Sequence, residues 1–232
     1  MNTPSEQTTQ AGLIRKLEAA LYLELQKGTF CYVTMPLPRV HFSLCQRTCH
    51  AMEQRGYHSV VINFAEEQLG LACSWDYPVI SALWNSFRTS GAASCIQQWL
   101  QTTASLSPLE RLMQFVNDYL LLDLCEGPLM ICLENIDALL TSPSILTELL
   151  TWIGHCFEIR DSYLTYHHLS FAAFGTALFS ALIDATTEET VADTNLLSVF
   201  AEQVATFKIL EMADQPLPRL SEAAATDVRV CV

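Results

Sequence analysis

Basic residues are scarce in this chain: 12 Lys and Arg stand against 25 Asp and Glu in 232 residues, a formal net charge of −13. A nucleic acid gripped through its phosphates calls for a cationic patch. The twelve cations are spread along the sequence without a basic run, which excludes that class of partner. Long uncharged runs are missing as well. No apolar stretch reaches the ~20 residues that a spanning helix needs, and Met1 to Gln10 lacks the basic and apolar regions of a signal peptide. The expectation is a cytoplasmic protein that meets no membrane. Glycine is sparse, eight residues in all, and none lies between Phe30 and Leu44.

What is present is apolar. Hydrophobic residues make up 50% of the chain and charged ones only 16%, a balance that predicts strands buried on both faces or an apolar surface kept for a partner. The acidity keeps such a chain in solution. The length suits one domain with a substantial core, with residues 1–10 expected as a disordered tail, 11–212 as the core and 213–232 as a second tail. Nine cysteines are scattered, mostly inside apolar runs, and read as small buried hydrophobes. Cys45, Cys49 and His50 fall close together on one predicted helix. No second cluster with ligand spacing accompanies them, so they are assigned to packing and no metal is expected. His167 and His168 precede a predicted strand and point to opposite faces there, a poor joint site.

Periodicity divides the chain into alternating helices and strands. Leu13, Leu17, Leu21 and Leu25 recur at helical spacing and Gly28 ends that helix. Strands are predicted over Thr29–Thr34, Ser59–Phe64, Leu129–Glu134, Leu169–Phe174 and Ala205–Leu210. Helices are predicted over His41–Arg55, Val79–Arg88, Cys95–Leu100, Leu109–Leu124 behind a Ser107-Pro108 start, Pro143–Ile159, Ala177–Ile183 and Leu196–Glu202. Asp184–Thr194 reads as an acidic surface loop. Five strands alternating with helices require a parallel sheet, right-handed crossovers and cover on both faces.

The first strand leads through a turn with Pro36 and Pro38 into an amphipathic helix, the strand, loop, helix order of a phosphate-binding loop. Such a loop uses glycines so that backbone N–H groups curl around phosphates, a Lys for the terminal phosphates, and a Ser or Thr for Mg²⁺. None stands at its required place. Phe30-Cys31-Tyr32-Val33 and Ser43-Leu44 nonetheless resemble the ends of FCYVLNSRQMGKSSL, the motif of the AAA-like ATPase domain common in cyanobacterial multidomain proteins. Leu129-Met130-Ile131-Cys132-Leu133-Glu134-Asn135-Ile136-Asp137 resembles the VIFIDEID strand of that family, and Leu169 through Ile183 is similar to its LTFALLGVATPSDLI segment.

The resemblance, which runs from about Leu17 to Pro218, implies a three-layer P-loop NTPase core with a five-stranded parallel sheet of order 5-1-4-3-2. It also marks what has been replaced. The family's Gly-Lys-Ser falls on Val40, His41 and Phe42, beside Arg39 and Ser43. A β-branched side chain, a largely neutral ring and a phenyl group cannot do the work of that triplet. The family's metal-orienting Asp and water-polarising Glu fall on Glu134 and Asn135, and an Asn cannot accept a proton as a base. Thr176 sits where a γ-phosphate sensor would be, and is equally an ordinary Gly-Thr turn. Arg160 lies where an arginine finger occurs in related machines, and is equally a solvated surface residue. The expectation is a catalytically inactive pseudo-ATPase, with no cofactor, that acts as a regulatory or protein-interaction module. The alternative is a weak ATP/Mg binder without turnover, with Arg39 as the compensating cation. Met35, Leu37, Val40 and Phe42 would line the vacated cleft, either against a protein partner or as simple filling.

Overall fold

The computed structural model describes residues 4–34, 38–65, 74–87, 93–124, 127–189, 208–211 and 229–231. In chain order the main elements are α1 (Pro4–Gln26), β1 (Phe30–Thr34), α2 (Pro38–Glu53), β2 (His58–Asn63), α3 (Asp76–Ser86), α4 (Ala93–Thr102), α5 (Pro108–Phe115), β3 (Leu129–Glu134), α6 (Pro143–Glu158), β4 (Leu169–Gly175), α7 (Phe179–Glu189), β5 (Lys208–Glu211) and β6 (Arg229–Cys231). A π-helical segment, Val116–Leu124, prolongs α5, and a 3₁₀ segment, Ile136–Thr141, follows β3.

Strands β1, β3 and β4 are buried at every position. Their side chains alternate between two cores, as the period of two in a strand requires. Phe30, Tyr32, Leu129, Ile131, Leu133, Phe171 and Ala173 face one side, against Leu83, Phe115 and Trp152 of α3, α5 and α6. Cys31, Val33, Met130, Cys132, Ala172 and Phe174 face the other, against Leu17, Leu21 and Leu25 of α1 and Leu44, Cys45 and Met52 of α2. The result is a three-layer α/β sandwich with helices on both faces. Each large side chain so buried contributes about 1.5–3 kcal/mol. β2 lies at an edge and shows it: Val60 and Ile62 are buried while Val61 is exposed.

The sheet order is β2-β3-β4-β1-β5-β6. β2 through β5 are joined by parallel pairs, with Tyr32 opposite Ala173 and Cys132 opposite Ala172. The expected sheet of five parallel strands is corrected at one edge, where β6 pairs antiparallel with β5 and adds a sixth, Leu210 standing opposite Val230. The same strand corrects the reading of 213–232 as a tail. The other predicted tail is corrected too, since α1 begins at Pro4.

Other boundaries moved for local reasons. Pro38 opens α2, three residues before the expected start, because a ring-fixed φ without an N–H suits the first helical turn. Asp184–Glu189 belongs to α7 rather than to a loop. The helix predicted over Leu109–Leu124 changes from α to π at Val116. The helix predicted over Leu196–Glu202 lies outside the described residues. Gly28 and Gly56 end α1 and α2 with φ of 73° and 85°, the left-handed region that glycine enters without cost. At α5 the Ser107 side chain accepts from the Glu110 amide and Glu110 accepts from the Ser107 amide, a complete capping box.

One ion pair is buried in the α3–α5 contact. The Arg111 guanidinium donates to both carboxylate oxygens of Asp76, at 2.5 and 2.7 Å, and Asp76 is wholly inaccessible. These bonds hold the guanidinium more firmly protonated than usual. Asp76 also stands in the first turn of α3, where the helix dipole favours a negative charge. Arg111→Ala should cost about 3–5 kcal/mol by stranding that charge, whereas Asp76→Leu with Arg111→Met should recover most of the loss. Urea unfolding of the two variants beside the parent checks both outcomes.

Candidate functional site

Polar residues collect where the parallel strands end. Thr34 closes β1, Asn63 closes β2, Glu134 and Asn135 end β3, and Gly175-Thr176 ends β4. In register, Thr34 stands opposite Gly175, Phe174 opposite Glu134, and Glu134 opposite Asn63, so all of them lie along one rim. This rim is the carboxyl edge, where open parallel sheets bind ligands. In the sheet order the connection from β1 to β2 spans β4 and β3, and the connection from β4 to β5 spans β1.

Along this rim several side chains are engaged with one another. Asn135 adopts φ 54°, a left-handed conformation that Asn tolerates better than most residues. Its side-chain amide donates to the Asn63 side-chain oxygen at 2.7 Å, and the Ala65 amide donates to the same oxygen at 3.1 Å. Asn135 therefore reverses the chain after β3 and clasps the end of β2. Its carbonyl then accepts from the Ala138 amide, the first bond of the 3₁₀ segment. Glu134 beside it is buried at 4% exposure.

Thr176 is engaged by Asp137, a residue to which the sequence motif assigned no role. The Thr176 amide donates to Asp137 Oδ2 at 3.1 Å, and the Thr176 hydroxyl donates to the same oxygen. The Tyr32 hydroxyl donates to the Ala177 carbonyl at 2.8 Å and its ring lies 5.0 Å from that of Phe179. These contacts converge on Gly175. A Cβ at that position would stand 2.6 Å from the Tyr32 hydroxyl and 3.2 Å from Asp137 Oδ1. The Gly-Thr pair is thus a turn that admits two neighbouring side chains.

Arg39, Val40, His41 and Phe42 lie in the first turns of α2, and their side chains are outside the described set, as are residues 35–37 of the preceding turn. Ser43 is exposed on α2. Among the described residues matched to the family's metal and phosphate contacts, Asn135 and Thr176 are bonded to Asn63 and Asp137 and neither supplies a general base, while Glu134 keeps a buried carboxylate at the metal-orienting position.

Arg160 is neither a finger nor a solvated surface group. Its guanidinium donates to the Gly28 carbonyl at 2.6 Å and to the Leu169 carbonyl at 2.5 Å, and lies 3.8 Å from the centre of the Phe157 ring. It ties the end of α1 to the start of β4. Desolvation there lowers its pKa.

A second constellation sits under α2. The thiols of Cys45 and Cys49, one turn apart, meet that of Cys132 from β3, with sulfur separations of 4.0 Å for Cys45–Cys49 and 3.7 Å for Cys49–Cys132. All three sulfurs lie within 4.8 Å of one another, and all three residues are buried. Hydrogen bonds from Cys132 and Cys45 pull the Cys49 thiol below its usual range. Cys45 is pushed upward by its bonds to Cys132 and Cys49 and by burial. At Cys132 the bond with Cys45 acts downward, but the bond with Cys49 and complete burial outweigh it. His50, which the sequence places beside Cys45 and Cys49, is absent from the group, being exposed and bonded to Gln54.

No family model matches the chain. It is 30% identical over 177 residues to an uncharacterized WD repeat-containing protein of Synechocystis sp. (strain ATCC 27184 / PCC 6803 / Kazusa), a match covering 75% of this chain and 15% of that protein. The chain thus spans a small part of the curated relative. Among solved structures it is similar to the Aeropyrum pernix ORC2 protein in its ADPNP–ADP complexes, with 13% identity, a TM-score of 0.41, and coverage of 86% of this chain and 47% of that one.

The rim contacts carry a direct expectation. Gly175→Ala should displace the Tyr32 hydroxyl or Asp137 and destabilise the protein by about 1–3 kcal/mol, with thermal unfolding as the readout. Gly127→Ala, where a Cβ would meet nothing nearer than 3.7 Å, serves as the unaffected comparison.

Proposed function

We propose that the protein is a pseudo-ATPase, a P-loop-like α/β scaffold that serves as a regulatory or protein-interaction module and does not hydrolyse ATP. The carrying observation is the clasp at the end of β3: Asn135 stands where the resembled family has its water-polarising carboxylate, and its amide is spent on Asn63. An amide has no basic form near neutral pH, so Asn135 cannot accept a proton from an attacking water. Thr176, at the γ-phosphate sensor position, is spent on Asp137 in the same way. The segment Phe30–Leu44 contains neither Gly nor Lys. Its helix N-terminus has no lysine to answer a triphosphate's charge, and the chain as a whole carries −13.

A fold of this kind keeps its stability when the chemistry is gone. Both cores are built from alternating strand residues and helix faces, and no part of that packing depends on a bound phosphate. The relative's name speaks of WD repeats, and the shared segment makes up 15% of its length. That supports reading the domain as one module among others, whose partner is another protein surface.

The experiment is a magnesium-dependent phosphate-release assay on the pure protein, paired with calorimetric titration by Mg-ATP. The reading predicts no release above buffer and no saturable heat. Phosphate release lost on Glu134→Gln would overturn it. Micromolar binding abolished by Arg39→Ala, without release, would replace it by a weak nucleotide binder.

A further inference from the structure

The buried thiols under α2 differ from the other core cysteines. Neither Cys31 nor Cys156 belongs to a group of three donor side chains among the described residues, and Cys156 lies in the opposite core. Cys45, Cys49 and Cys132 instead aim three sulfurs at one point. Two come from successive turns of one helix face and the third from the inner strand β3 beneath, so the arrangement is fixed by the α2–β3 contact rather than by a loop. Donor groups held on helices and strands keep their geometry better than donors on loops.

The spacing has a chemical meaning. A metal–thiolate bond is about 2.3 Å long. Three sulfurs in a plane around one ion then stand about 4.0 Å apart, by the geometry of an equilateral triangle around that bond length. The separations here are 4.0 and 3.7 Å, and the third is within 4.8 Å. Ordinary packing does not require three sulfurs to share a centre.

Ligand type and number select the ion. Thiolates are soft donors that favour Cu(I) and Zn(II) over hard cations. Structural zinc is almost always four-coordinate, and no fourth His, Cys, Asp or Glu joins this group among the described residues. The surroundings are Val33, Leu44, Met52, Met130 and Phe174, all buried and apolar, so water is a poor candidate for a fourth position. Three-coordinate sulfur in a dry pocket suits a monovalent soft ion. Cys49, 8% exposed while the other two are sealed, marks the side from which an ion would enter.

We propose that Cys45, Cys49 and Cys132 form a trigonal thiolate site for a soft monovalent d¹⁰ metal ion, Cu(I). Binding replaces thiol protons, which leave to solvent, and no change of oxidation state is involved. The site stands independently of the ATPase question, since all three residues lie within the α1–α2 core.

The test is anaerobic titration of the reduced full-length chain with Cu(I) held by a competing chelator, bathocuproine disulfonate. One equivalent should pass to the protein, with a thiolate-to-copper band in the ultraviolet and a rise in the thermal midpoint. Cys45→Ala and Cys49→Ala should each lower the affinity more than tenfold, while Cys156→Ala, in the opposite core, should leave it unchanged. Cys132→Ala should behave like the first two, and far-ultraviolet circular dichroism of each variant verifies that it is folded. Failure to withdraw copper from the chelator would overturn the proposal. So would withdrawal that Cys45→Ala and Cys49→Ala leave intact, or tight uptake of Zn(II) in preference to Cu(I).

Discussion

The structure depends on burying both faces of three adjacent parallel strands. In β1, β3 and β4 every residue is buried, so each must suit one of two cores. Odd positions of β1 would become even ones if the register with β4 slipped by one residue, and each side chain would change layers. Phe30 and Tyr32 would then face the small α1–α2 core, and Cys31 and Val33 the large aromatic one. The pairing of Tyr32 with Ala173 and of Cys132 with Ala172 is therefore specified by the helices on either side as much as by the strands.

That constraint places the chemistry-bearing residues. Because the strands are parallel, their carboxyl ends lie on one rim, and the polar residues that stop the apolar runs are brought together there. The same constraint accounts for their mutual pairing. Groups at the ends of buried strands are partly shielded from water and need hydrogen-bond partners. Asn135 finds Asn63, Thr176 finds Asp137, and Tyr32 reaches the Ala177 carbonyl over Gly175. These three clasps tie much of the rim together, and the buried Thr34 hydroxyl stands outside them. Away from it, Arg160 performs a similar service for backbone groups, joining the Gly28 and Leu169 carbonyls across 132 and 9 residues of sequence respectively.

The apolar runs that become β1, β3 and β4 were legible because each is short, continuous and bounded by turn residues, and the spacing of Leu17, Leu21 and Leu25 located α1. The partner of a polar residue was not. Nothing in the spacing of Asp137 and Thr176, 39 residues apart, announces that they meet, since their contact follows from β3 lying beside β4. Cys132 joined Cys45 and Cys49 for the same reason: the helical pair can be read at i, i+4, but the third sulfur depends on which strand lies beneath that helix face and in which register. Arg160 deceived in another way. Its place after α6 suited either a finger or a surface charge, and only the nearby ends of α1 and β4 reveal its use. Edge strand β6 rests on a three-residue pairing too short to stand out by pattern.

The central proposal is that the paired polar groups along the strand ends, Asn63 with Asn135 and Asp137 with Thr176, stay committed to one another and are not given up to a nucleotide. Nuclear magnetic resonance on isotopically labelled protein tests this most directly, by following the side-chain amides of Asn63 and Asn135 and the backbone amide of Thr176 as Mg-ATP is added. The account predicts that these signals stay where they are across the titration. Saturable shifts of all three would contradict it, because they would require the clasps to open for a bound phosphate.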